Sequence, residues 1–287
     1  MTNAARAVRS PAVHSETAVW IDGEVQDAPV ISPLDHGFLV GDGVFETIKT
    51  VDGQPFALTR HLRRLERSAD GLGLPLPPEP TIRSAVADVM AASAAPSGRL
   101  RITVTSGAGP LGSARGEDPP TLVVTHTATT PWPPSTRLAT VSWARNERGA
   151  TTGLKTTSYA DNVVALRAAR EQGADEAIFT DTRGRICEGT GTNIFYVLNG
   201  HLTTPSLATG CLAGITRELV IQVADVMVAD APVGMLADVD EAFVTSSTRD
   251  VQPVSHIDGR TLAGWPGPHT AEAMAAFAAL GARTFDP

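Results

Sequence analysis

Three prolines crowd into four residues, Pro131, Pro133 and Pro134, within the run Ala128-Thr129-Thr130-Pro131-Trp132-Pro133-Pro134-Ser135 near the middle of the chain. Proline lacks a backbone N–H and holds φ fixed. Such a run can neither continue a helix nor donate to an interior sheet ladder, and it behaves as a stiff spacer. It therefore marks a boundary. The expected organisation is a flexible N-terminal tail over residues 1–16, a small α/β domain over 17–128, a linker over 129–135 and a larger domain over 136–287.

Before the linker, Thr17 to Val25 reads as strand, turn and strand around Asp22-Gly23, and Ile31 to Phe38 as a loop. Val44 to Val51 is a strand that ends at the Asp52-Gly53 turn. Leu62, Leu65, Ala69 and Leu72 recur at helical spacing from Thr59 to Leu72. A second amphipathic helix covers Thr81 to Ala94. From Arg99 to Ser106, Leu100, Ile102 and Val104 alternate with Arg101, Thr103 and Thr105, the pattern of a half-buried strand. A Gly-rich loop follows, carrying Arg115, and then a strand at Leu122 to His126.

After the linker come a strand at Leu138 to Ala144 and a loop from Arg145 to Thr152. A helix at Val163 to Gln172 stops at Gly173. Glu176 to Asp181 pairs with Arg185 to Glu188, and Asn193 to Leu198 with His201 to Thr204 across Asn199-Gly200. Ile215, Leu219, Val220, Val223 and Val226 mark a helix. Val239 to Val244 is a strand, Gly259 turns a hairpin, and Thr270 to Leu280 is a closing helix.

Of 23 basic residues only Lys49 and Lys155 are lysines. Lys155 sits in Gly153-Leu154-Lys155-Thr156-Thr157-Ser158-Tyr159, at a strand-to-helix junction among apolar and hydroxyl groups. A lysine that loses hydration there favours the neutral amine, a nucleophile toward carbonyls. Taken alone it reads more readily as a stray surface lysine. The net charge of −8 and the absence of a basic stripe beyond Arg60 to Arg67 argue against a nucleic-acid partner. No apolar run approaches the ~20 residues of a membrane span. Residues 1–16 lack the apolar core of a signal peptide. Cys187 and Cys211 are too few for a disulfide framework and fit a reducing cytoplasm, as small buried groups. No metal site is expected.

The order Lys155, then Glu188-Gly189-Thr190-Gly191-Thr192-Asn193, then Gly214-Ile215-Thr216-Arg217 resembles the class IV aminotransferases, the pyridoxal-phosphate enzymes of fold type IV. The likeness extends to Gly41-Asp42-Gly43-Val44-Phe45-Glu46-Thr47, His61-Leu62-Arg63-Arg64-Leu65, Thr245-Ser246-Ser247-Thr248 and Pro253-Val254, spanning roughly residues 18 to 260. It implies an α+β fold, with a small α/β domain and a larger pyridoxal-phosphate-binding domain built as a pseudo-barrel of strands plus helices. It also implies a homodimer acting on small amino acids and 2-oxo acids.

The resemblance assigns residues to the cofactor. Lys155 is the catalytic Schiff-base lysine, and Glu188 the carboxylate beside the ring nitrogen. Helical angle does not separate Arg63 from Arg64; the family motif selects Arg64 for the phosphate. The N–H groups of Ile215 and Thr216 and the hydroxyls of Ser247 and Thr248 complete that set, with Tyr159 against the ring oxygen. Phe45, Glu46, Arg101, Arg115 and Arg249 are substrate candidates, Arg249 standing equally as a structural pair for Asp250. An aminotransferase, on D-amino acids or other small amino acids, is the first reading, favoured by Phe45-Glu46. Aminodeoxychorismate lyase, yielding 4-aminobenzoate and pyruvate, is the second, favoured by Lys155-Thr156-Thr157-Ser158-Tyr159 and Gly210-Cys211-Leu212-Ala213-Gly214. A branched-chain aminotransferase or a non-catalytic relative comes last.

Overall fold

The computed structural model describes residues 17–287, so the tail expected over 1–16 lies outside the described residues. Two sheets account for the strands. Their tight turns follow directly from sequence. Asp22-Gly23, Asp52-Gly53, Asn199-Gly200 and Asp258-Gly259 all hold positive φ at both positions. That is the conformation a two-residue hairpin requires, which Asp or Asn followed by Gly reaches at least cost.

The first half contains β1 (Thr17–Ile21), β2 (Glu24–Val25), α1 (His36–Leu39), β3 (Gly43–Val51) and β4 (Gln54–Pro55). It continues with α2 (Leu58–Leu72), α3 (Glu79–Ala92), β5 (Gly98–Thr105) and β6 (Thr121–Thr127). The strands form one antiparallel sheet in the order β2-β1-β6-β5-β3-β4. On β5 the alternation places Leu100, Ile102 and Val104 in full burial beside Leu62 and Leu65 of α2 and Val86 and Val89 of α3. Each such side chain contributes about 1.5–3 kcal/mol by burial. The opposite face of β5, with Arg99 and Arg101, is left to line a cavity.

Residues 128–135 carry no regular element. Beyond them lie β7 (Thr136–Arg145), α4 (Ala160–Glu171), β8 (Glu176–Asp181), β9 (Ile186–Gly189), β10 (Asn193–Leu198) and β11 (His201–Thr204). Then come α5 (Ile215–Val223), β12 (Met227–Val228), β13 (Ala242–Ser246), β14 (Asp250–Ile257), β15 (Arg260–Thr261) and α6 (Pro268–Arg283). The second sheet runs β12-β11-β10-β13-β14-β7-β8-β9, with β15 on β14. Its β14-β7-β8 ladders are parallel and the rest, apart from β11-β12, antiparallel. The sheet curves into a half-barrel, and a tight turn at Gly189–Thr192 brings β9 back against β10. The mixed helix-and-strand architecture is the one expected.

Three expectations need correction. The loop at 31–38 gives way to the short α1, nucleated by Asp35 accepting from Gly37 N at 2.8 Å. Helix α5 stops at Val223, where Ala224 turns extended and the chain enters β12, so Val226 is not helical. The strand expected from Val239 begins only at Ala242. Val239 is buried in the core after a 3-10 turn over Val233–Ala237, a burial that reads like a strand in sequence. No helix among the described residues is long and apolar enough to cross a membrane.

Candidate active site

A cavity of about 820 Å³ lies between the free face of the first sheet and the half-barrel. Lys155 reaches it from the irregular segment between β7 and α4. That segment is laced onto β3: Phe45 N donates to Lys155 O at 3.0 Å and Thr157 N to Gly43 O at 2.8 Å. Lys155 N donates to Ser68 Oγ of α2 at 3.1 Å. Gly41, at φ +70°, takes a conformation other side chains resist. The Lys155 amine lies 4.3 Å from the centre of the Phe45 ring and 5.9 Å from that of Tyr159. Burial and the neighbouring Arg64 charge push its pKa down to about 8, with Glu46 and Glu188 opposing. Lys155 thus carries a reactive neutral fraction near neutrality.

Glu188 stands at the end of β9. Its Oε2 accepts from Leu212 N at 2.9 Å and its Oε1 lies 3.4 Å from Arg145 Nε. Burial raises its pKa, and the Arg145 charge opposes that rise. The Arg145 guanidinium is itself packed 4.2 Å over the Phe179 ring.

Arg64 points into the cavity while Arg63 is exposed. Arg64 Nε and Nη2 grip the Glu46 carboxylate at 2.8 and 2.6 Å, and Nη1 donates to Ala213 O at 3.0 Å. A guanidinium has five N–H donors, so two remain for an anion. Opposite, α5 starts at Ile215 with no side-chain cap, leaving its first N–H groups and the positive end of its dipole toward the cavity. A Cβ on Gly214 would sit 2.0 Å from Asn193 Oδ1, so any larger residue there would have to displace that side chain. Ser247 and Thr248 also line the cavity, as does Thr245, whose buried hydroxyl has no partner among the described residues.

The substrate candidates divide. Phe45 and Arg101 line the cavity, Arg101 stacked 3.8 Å over the Phe45 ring. Glu46 does not line it: adjacent residues of β3 point to opposite faces, and Glu46 is fully buried between Arg64 and His61. Arg115 is also outside, clamped on Asp42 at 2.7 Å and on the carbonyls of Leu72 and Gly73. Arg249 lines the cavity, but its acid is Glu176 at 3.4 Å rather than Asp250, which pairs with Lys49 at 2.6 Å. Sequence reasoning assigned no role to His61, Arg145, Thr245 or Arg99. Arg99 was accessible, since it shares the period-two face of Arg101. Arg145 and Thr245 carry no local signal that separates them from ordinary strand ends.

These features fit pyridoxal phosphate: an amine of lowered pKa with no hydrogen bond among the described residues, an uncapped helix N-terminus beside a half-used guanidinium, an orphaned hydroxyl, and an acid held by one arginine. Among the described residues no cluster of His, Cys, Asp or Glu could hold a metal ion.

Residues 43–257 match the family model described as amino-transferase class IV. The chain is 35% identical over 260 residues to a Methanocaldococcus jannaschii protein named "Putative branched-chain-amino-acid aminotransferase", covering 85% of this chain and 89% of that one. It is 31% identical to the aminodeoxychorismate lyase of Bacillus subtilis, covering 84% and 86%. It is also 31% identical to the D-alanine aminotransferase of Bacillus licheniformis, covering 82% and 86%. Among solved structures, the branched-chain amino acid aminotransferase from Escherichia coli superposes with TM-score 0.84 at 27% identity, covering 94% of this chain and 95% of that one. The chain belongs to the class IV aminotransferases, which use pyridoxal phosphate.

Proposed function

We propose that this protein is an aminotransferase that moves an amino group between an amino acid, of D configuration in our reading, and a 2-oxo acid. The observation that carries it is the Lys155 amine, lowered in pKa and set across the cavity from Glu188. Pyridoxal phosphate, when bound, supplies the electron sink for breaking the substrate Cα–H bond. Arg64, the N–H groups of Ile215 and Thr216, and the hydroxyls of Ser247 and Thr248 would hold its phosphate. Lys155 would hold the cofactor covalently, and its Nζ is the group placed to take up and give back the substrate Cα proton. Glu188, steadied by Arg145 and the Leu212 N–H, would hold the ring nitrogen of the cofactor. Tyr159 and Phe45 wall the cavity around the amine, their rings edge to face at 5.3 Å.

The D configuration is supported by the likeness to D-alanine aminotransferase. The lyase reading is supported by the comparable likeness to aminodeoxychorismate lyase, and an L-amino acid reading by the branched-chain relatives. Purified holoenzyme offered D-alanine, L-leucine and aminodeoxychorismate in parallel separates them. Pyruvate with 4-aminobenzoate from the last substrate alone overturns our reading; D-alanine-dependent amination of a 2-oxo acid supports it. Lys155→Ala should lose both the visible band of lysine-bound cofactor and amino transfer. The reading includes a homodimer, and a sedimentation mass of one chain would contradict it.

A further inference from the structure

Behind the phosphate side of the cavity runs a chain of three side chains from three parts of the fold. Glu46 on β3 and His61 on α2 are buried, while Ser247, in the turn after β13, lines the cavity. The His61 ring lies between the other two, with Nδ1 2.6 Å from Glu46 Oε2 and Nε2 3.5 Å from Ser247 Oγ. Arg64 and His61 keep Glu46 ionised, at about 2, against the effect of burial. An ionised carboxylate only accepts, so Nδ1 carries the proton of that hydrogen bond. Burial pushes the pKa of His61 below its ordinary 6.5; Glu46 opposes this, and the charges of Arg64 and Lys155 add to the lowering. At neutral pH the ring is therefore neutral and Nε2 is a bare acceptor. The hydroxyl facing it is that of Ser247, whose single proton is drawn back toward His61.

A hydroxyl turned that way offers a phosphate oxygen lone pairs instead of a proton. Before Ser247 can donate to the anion, Nε2 must gain a proton of its own and donate to Ser247 Oγ. Arg64 and Lys155 disfavour an imidazolium in the empty site, and a phosphate dianion beside Ser247 reverses that balance. We propose that, with Ser247 in the phosphate set as assigned above, His61 is a positioning residue that takes up a proton from solvent as the phosphate enters and aims the Ser247 hydroxyl at it. Three charged groups face His61: Glu46 from β3, Arg64 from its own helix and Lys155 from the segment between β7 and α4. Glu46 titrates far below neutrality and Arg64 stays charged, but Lys155, at about 8, titrates nearby, so the histidine ring has to be observed directly. Uptake of one proton makes affinity fall as pH rises. The fall is up to about tenfold per pH unit between the His61 pKa of the empty site and the higher one of the loaded site.

Pyridoxamine phosphate carries the phosphate but no aldehyde, so it binds without a covalent link to Lys155, and pyridoxamine is the same ring without the phosphate. Each is added to the cofactor-free full chain, isotope-labelled in its histidines, and the His61 ring nitrogens are followed by NMR at neutral pH. Pyridoxamine phosphate should convert the ring from singly to doubly protonated, and pyridoxamine should leave it neutral. A ring that stays neutral with the phosphate bound, or that pyridoxamine protonates as well, overturns the proposal, and these spectra need no variant. Calorimetry of the same titration in buffers of different ionisation enthalpy should count one more proton taken up by the parent than by His61→Gln, whose amide can donate to Ser247 at any pH. The affinity of the variant should accordingly depend less steeply on pH. Equal proton uptake by the two overturns the proposal. Ser247→Ala separates the two levels of inference. Unchanged affinity for pyridoxamine phosphate in that variant removes Ser247 from the phosphate set and refutes both levels. A loss of roughly tenfold or more, with the His61 ring of the loaded parent still neutral, refutes the role of His61 alone. None of these readouts involves turnover, so a failure of the amino-transfer reading leaves them intact.

Discussion

Glu46 is fully buried, yet His61 Nδ1 and Arg64 Nε and Nη2 all converge on its carboxylate within 2.8 Å. Burial alone would raise its pKa; the charges and hydrogen bonds of Arg64 and His61 outweigh that and hold it at about 2. A depressed carboxylate contributes stability that is fully present above its unfolded value of 4.5 and is lost as pH falls toward about 2. Glu46→Gln should therefore flatten the acid limb of the stability curve between those values. At pH 7 it should cost about 3–5 kcal/mol, the range for breaking a buried pair, in urea denaturation. It should also weaken cofactor binding, because Arg64 loses the group that aims it. Lys155, by contrast, destabilises the fold at neutral pH. Its folded pKa of about 8 lies below the ordinary value of 10.5, so the fold disfavours its charged form and stability rises as pH climbs from 8 to 10.5. Cofactor-free Lys155→Met should melt at a higher temperature than the parent at pH 7. That advantage should fade over the same interval, as followed by thermal denaturation across pH.

At the scale of elements, the start of α5 depends on a glycine. Gly214→Ala would drive a methyl group into Asn193 Oδ1, whose amide Nδ2 holds Leu212 O at 2.9 Å, and Leu212 N in turn holds Glu188. One methyl group thus disturbs both the phosphate end and the ring-nitrogen end of the site. Cofactor titration should show affinity falling by roughly tenfold or more, the effect expected when a supporting shell is displaced. The hairpins and the faces of β5 and α2 were legible because turn chemistry and periodicity are local: an Asp-Gly pair or a two-residue alternation needs no knowledge of the rest of the chain. Partnerships were not. Alternation says that Glu46 faces away from Phe45, but not that Arg64 and His61 wait there. Arg249 adjoins Asp250 in sequence, yet Asp250 sits at φ 54° and reaches Lys49, leaving Arg249 to Glu176. Motif order located Lys155, Glu188 and Arg64 because those positions recur together in the family. Arg115 went astray because loop composition does not reveal that Asp42 and the end of α2 will clamp it.

On the scale of the whole molecule, the two sheets are coupled through α6 and the turn before α2. Phe56 and Ala57, from the first half, are buried in the core formed by α5, α6 and the half-barrel, with the Phe56 ring edge to face against Phe277 at 5.9 Å. Lys49 of β3 bridges to Asp250 of β14, its amine 5.1 Å from the Phe56 ring. The residues after α6 return to α2: Thr59 N donates to Asp286 Oδ1 at 2.9 Å, and Ala57 N to Phe285 O at 2.6 Å. Since α2 carries Arg64, and the residues after β13 carry Ser247 and Thr248, this junction sets the distance between two sides of the phosphate site. Phe277→Ala empties the centre of that junction and should cost about 3–5 kcal/mol, the range for a truncated core phenylalanine. If the junction couples the halves, calorimetry of the variant should show one transition displaced to lower temperature, with cofactor affinity reduced although Phe277 does not line the cavity. Two resolved transitions in the parent protein would mean that the halves unfold independently and that α6 serves only its own side.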